Sequence, residues 1–94
     1  MHVGILTLWL HLPGCASLKE KRRRLKPLLH RLHREFNVSV AEVGAQDAWQ
    51  EAVIACVWVS NDAVYTQQAL QRVRGWVETH WGDGWIAQER LELC

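Results

Sequence analysis

No stretch of this chain stays apolar for the ~18 residues that a membrane span requires. Cysteine is scarce: Cys15, Cys56 and Cys94 are odd in number and widely separated. No disulfide framework follows from that spacing, and free thiols in a reducing cytoplasm are the simplest account. The opening Met1-His2-Val3-Gly4 lacks the basic n-region of a secretory signal, so none is expected. No catalytic motif is recognisable, and no cofactor is expected.

Against these absences stands a composition that is 49% hydrophobic over 94 residues. Such a chain is globular and makes one domain, residues 1–94, with one compact core. Six tryptophans are more than a small core hides, so some should be partly exposed. Charge is unevenly distributed. Eight of the eleven Lys and Arg lie between Lys19 and Arg34, with one acid, Glu20, among them. That segment is about +7 and the remainder about −6, although the net charge is +1. A basic stripe on an otherwise acidic small domain points to an anionic partner, most often nucleic acid.

Residues 3–12 alternate, with Leu6, Leu8, Leu10 and Leu12 on one side and Val3, Ile5, Thr7, Trp9 and His11 on the other. Period two over ten residues predicts a central strand, closed by Pro13-Gly14. Ser17-Leu18-Lys19-Glu20 has capping-box form, the Ser17 hydroxyl taking the Glu20 amide and Glu20 reaching back to the Ser17 amide. The helix it opens runs to about Phe36, with Leu18, Leu25, Leu28, Leu29, Leu32 and Phe36 on one stripe. Arg23, Arg31 and Arg34 lie opposite, and Lys19 and Lys26 on a flank. Lys21 and Arg22 border the core stripe. Pro27 faces outward, where its missing N–H kinks the helix without breaking it.

Residues 38–43 form a short strand containing Glu42, followed by a polar turn with Gln46, Asp47 and Trp49. Residues 52–59 are apolar on both faces and predict a second central strand. Ser60-Asn61-Asp62 supplies cap chemistry for a second helix, whose inner stripe is Thr66, Ala69, Leu70, Val73, Trp76, Val77 and His80. After Gly82-Asp83-Gly84, residues 85–93 carry Glu89, Arg90 and Glu92, as an edge strand does.

The order β-α-β-β-α-β is that of the ferredoxin-like fold, α+β, a four-stranded antiparallel sheet with two helices on one face. The other face is then open. Ile5 and Trp9 lie on it, together with either Ile54, Cys56 and Trp58 or Val53, Ala55, Val57 and Val59. An apolar open face marks a homodimer contact, a base-stacking platform on Trp9 or Trp58, or a ligand floor.

Three segments resemble one family: Leu10-His11-Leu12-Pro13-Gly14 through Ser17-Leu18-Lys19-Glu20-Lys21-Arg22-Arg23; Asn37-Val38-Ser39-Val40-Ala41-Glu42-Val43 with Gln46-Asp47 and Trp49-Gln50; and Val59-Ser60-Asn61-Asp62. In combination they resemble the YlxP-like bacterial proteins, whose function is unassigned. The resemblance implies a ferredoxin-like fold. Genes of that family often neighbour those for translation-initiation and ribosome-maturation factors, which implies RNA or the ribosome as a partner. It implies no catalytic residues.

A charged helix face commonly does nothing but stay hydrated. Here acids to balance it are absent nearby, so Lys19, Arg23, Arg24, Lys26, Arg31 and Arg34 are the candidate nucleic-acid contacts, with RNA or a ribosomal particle the expected partner. An acidic protein docking the same helix is the alternative. Ala52-Val53-Ile54-Ala55-Cys56 has none of the aromatic signature of an RNA-recognition motif. Leu12-Pro13-Gly14-Cys15-Ala16 lacks the Arg of acylphosphatases, which share the fold. Cys15 stands alone where metal carriers of this fold place two thiols, and His30 and His33 have no third ligand, so no metal is expected. Asp47, with Gln46 and Gln50, is either a turn former or an acid/base cluster.

Overall fold

In a computed structural model describing residues 1–94, the elements are β1 (His2–His11), α1 (Leu18–Phe36), β2 (Ser39–Gly44), β3 (Glu51–Ser60), α2 (Ala63–His80) and β4 (Trp85–Leu93). The sheet order is β2-β3-β1-β4, antiparallel throughout. The chain is therefore ferredoxin-like, with the two most apolar strands central. Leu6, Leu8 and Leu10 of β1, with Leu12 just beyond it, and Ala52, Ile54 and Cys56 of β3 point at the helices. There they meet Leu25, Leu28 and Leu32 of α1 and Leu70, Val73 and Val77 of α2. Burial pushes the Cys56 thiol up to about 12, so it is an inert core side chain.

β1 and β3 pair with Ile5 opposite Val57, Thr7 opposite Ala55 and Trp9 opposite Val53. The open face therefore carries Val53, Ala55, Val57 and Val59. Trp58 was the expected companion of Ile5 and Trp9 there, and it lies on the helix side instead. It stands opposite Gly4, where a Cβ would come within 2.6 Å of Leu70 and Thr66. The indole packs edge-on against Tyr65 of the second helix, with centroids 6.0 Å apart.

The first helix begins as its chemistry requires, with one difference. Ser17 is extended, and its hydroxyl accepts from the Glu20 amide at 3.0 Å. The Glu20 carboxylate accepts from Ala16 at 2.7 Å, not from Ser17, because the extended Ser17 leaves the preceding amide as the one in reach. That bond, then the Cys15 thiol and the arginines Arg24 and Arg23, hold the Glu20 carboxyl below its ordinary range. At the other end Asn37 adopts the left-handed conformation, φ 52°, and its amide donates to His33 O. The helix runs unbroken through Pro27. In α2, Asp62 caps the Tyr65 amide, and the expected inner residues are buried except Trp76, which is half-buried, and His80, which is exposed.

Lys21 is the least expected member of the core. Its side chain is 2% exposed. The ammonium donates to Ala45 O at 2.7 Å and Ala48 O at 2.9 Å, both in the β2–β3 turn. Glu42 Oε2 lies 2.8 Å from the ammonium and closes the set as an ion pair. The turn that presents these carbonyls needs Ala45 at φ 55°.

Two outcomes test this account. Ser17→Ala should lower stability by about 1 kcal/mol in urea titration, the usual loss of an N-cap side chain; an unmoved midpoint would show the cap to be idle. Lys21→Met keeps the apolar stem but strands two carbonyls and a half-buried carboxylate, and should cost roughly 2–3 kcal/mol. A midpoint equal to wild type would contradict the clamp.

Candidate functional site

At 3.6 residues per turn, the inward Leu25, Leu28 and Leu32 fix which side of α1 faces water. Lys19, Arg23, Lys26, His30 and Arg34 follow one another at three- and four-residue steps and are all exposed. The row spans about 22 Å along the helix. Lys19, Arg22, Lys26, Arg31 and Arg34 form no ion pair with any acid of the chain. Arg23 is 74% exposed and its only carboxylate is Glu20, 3.8 Å away.

Several of the chain's acids are occupied elsewhere, and Glu35, at the far end of α1, is exposed and pairs with none of the row. Glu42 pairs with Lys21, Glu78 and Glu89 with Arg74 at 3.1 and 2.7 Å, and Glu92 with Arg90 at 2.6 Å. The polarisation read from the sequence is thus spatial as well. Exposed cations sit on α1, and much of the acidic charge lies toward β4 and the outer side of α2.

Two of the expected contacts have other partners. Arg24 is only 18% exposed in its side chain. It donates to Pro13 O at 3.1 Å and to Asp83 O, and its Nε is 3.6 Å from the Asp83 carboxylate. It therefore ties the loop before α1 to the turn before β4 and is not presented to a partner. Arg31 lies over the Trp76 ring, 4.7 Å from the centroid, at the boundary between helix face and α1–α2 groove.

The remaining candidates stay apart. His33 Nδ1 is 2.8 Å from Val38 O, at the end of α1, while His30 is exposed on the row. Asp47, Gln46 and Gln50 are exposed on a turn whose Ala45 and Ala48 carbonyls serve Lys21. On the open sheet face Ile5 and Trp9 are half-buried among Val53, Ala55 and Val57, and Arg90 of β4 reaches over the Trp9 ring at 5.5 Å. Sequence reasoning missed the roles of Lys21 and Arg24. Position 21 falls between Leu25 and Leu28 on the helical wheel, which is the one signal that marks it as inward.

Among solved structures, a structural-genomics protein named YJCS is 12% identical with a TM-score of 0.51, covering 96% of both chains; that likeness concerns the fold alone. A de novo designed protein with a ferredoxin fold, LFR1 1, is 9% identical with a TM-score of 0.48, covering 100% of this chain and 83% of its own. The uncharacterized protein YlxP of Bacillus subtilis (strain 168) is 44% identical over 63 residues, which is 67% of this chain and 68% of that protein. A family model described as protein of unknown function (DUF503) matches residues 3–90, and the chain belongs to that family.

Proposed function

We propose that this protein is a small cytoplasmic RNA-binding protein that grips the phosphates of structured RNA or a ribosomal particle through the solvent face of α1. The observation that carries this reading is the row Lys19, Arg23, Lys26, His30 and Arg34. Its Lys and Arg have no acid partner beyond the exposed Glu20 contact. Each phosphate neutralised by such a cation releases counterions, which makes affinity fall with salt. Phosphate contact and shape, not base-edge readout, are the mechanism.

The open sheet face supports a second element of the reading, a homodimer. Ile5, Trp9, Val53, Ala55, Val57 and Val59 make it apolar at its centre, and Arg90 and Glu92 at its edge offer charges of both signs to a two-fold copy. Both helices lie on the opposite side of the sheet. A face-to-face dimer would therefore turn two basic helices outward, available to one RNA at two places.

Lys19→Glu with Lys26→Glu reverses two charges at exposed positions, the first near a helix N-terminus where an acid is favoured. Binding of wild type to ribosomal RNA should weaken steeply across a salt series, and the double variant should bind at least tenfold more weakly with a shallower slope. Absence of wild-type binding at low salt would overturn the RNA reading. Wild-type capture of an acidic protein that excess RNA does not displace would put the protein-partner reading in its place. Light scattering should give twice the chain mass, and Trp9→Glu should return the monomer mass. A wild-type monomer would remove the dimer from the account.

A further inference from the structure

Of the five side chains in the α1 row, His30 alone is of a type that changes charge between pH 5 and 8. It is exposed and stands one turn after Lys26 and one turn before Arg34. With a neutral imidazole the row has a break. Lys19, Arg23 and Lys26 form one cluster, and Arg34 follows about 12 Å beyond Lys26 along the axis. That gap exceeds the Debye length of about 8 Å at physiological salt, so Arg34 then acts alone. With an imidazolium at position 30, successive cations from Lys19 to Arg34 rise by no more than about 6 Å.

No acid of the chain stands beside His30. On α1, Glu20 accepts from the Ala16 amide at the far end of the row, and Glu35 lies about 140° round the helix from His30 at 100° per residue. The elements packed against α1 bring no free charge to this face. Glu42 of β2 is held by Lys21 on the inner side, and Asp47 stands on the turn that Lys21 reaches. On α2, Arg74 pairs with Glu78 and Arg72 lies over Tyr65. Asp83 before β4 is paired with Arg24. The other histidines are off the row: His33 against Val38 O, His80 stacked on Trp76, His11 on Trp85, and His2 at the start of β1.

We propose that RNA binding by α1 is proton-linked through His30, whose imidazolium takes a phosphate between those held by Lys26 and Arg34; the proposal rests on the RNA reading above. A phosphate set against an imidazole favours its charged form. Binding therefore takes up a proton at His30. The added affinity is present at low pH and is lost as pH rises through the imidazole range. The protein then holds RNA more tightly in an acidified medium than in an alkaline one, with no change of fold.

The test is fluorescence anisotropy with a ribosomal RNA hairpin at low salt, at about pH 8 and about pH 5.5, either side of the ordinary imidazole range. Wild type should bind roughly fivefold more tightly at the lower pH, the scale of one exposed ion pair. The slope of log affinity against log salt should steepen there by about 0.9, as for one more phosphate contact on a duplex. His30→Gln should lose at least half of the gain in affinity. His30→Lys should bind at both pH values as wild type does at the lower one. Both changes lie at an exposed position and leave the core untouched. A gain that survives His30→Gln by more than half, or a wild-type salt slope equal at both pH values, would overturn the proton linkage and leave phosphate binding intact. Failure of wild type to bind at either pH would overturn both.

Discussion

The buried Lys21 ammonium is the contact on which the arrangement turns. It pins the first turn of α1 to two carbonyls and a carboxylate of the β2–β3 hairpin. An ammonium taken out of water is costly unless it is paired, so the helix cannot rotate without losing this set. With Lys21 held inward, the positions that remain outward are Lys19, Arg23, Lys26, His30 and Arg34. Arg24 adds a second tether on the next flank, to Pro13 and Asp83. Two cations of the basic run thus fix the helix, and fixing it is what sets the others in a row.

The glycines set a second constraint. Gly4 lets α2 approach β1 closely enough that Thr66 and Leu70 fill the space a Cβ would need. Gly84 does the same for the turn before β4, where a Cβ would run into the His11 carbonyl and the Trp81 ring. These approaches place Trp58 beneath α2 and Trp81 beside the α1–α2 groove. They also leave the far side of the sheet with Ile5, Trp9 and the β3 valines. The molecule therefore separates its two surfaces, an apolar sheet face and a basic helix face, on opposite sides.

Much of this is written in local pattern. The strict alternation of Leu6, Leu8, Leu10 and Leu12, the Ser17–Glu20 cap and the Asp62 cap are short-range signals, and the elements they imply are those present. Facts that depend on two distant segments are not legible in this way. The register that puts Val53 opposite Trp9 decides the face of Trp58, and a strand apolar on both sides carries no mark of it. Lys21 reads only as a border of the core stripe, and Arg24 as a nucleic-acid contact, because their acceptors, Ala45, Ala48, Pro13 and Asp83, are main-chain or turn groups in other parts of the chain. The contact of Arg31 with Trp76 joins two helices and has no sequence spacing at all. The family match adds membership and no role, so the functional reading rests on where the unpaired cations stand.

The measurement that bears most directly on the central claim is ultraviolet cross-linking of the protein in cells, followed by sequencing of the attached RNA and mapping of the modified peptides. The account predicts recovered RNA, with cross-links on residues 19–34 and none on the open sheet face around Trp9. Recovery of no RNA, or cross-links confined to the sheet face, would contradict it.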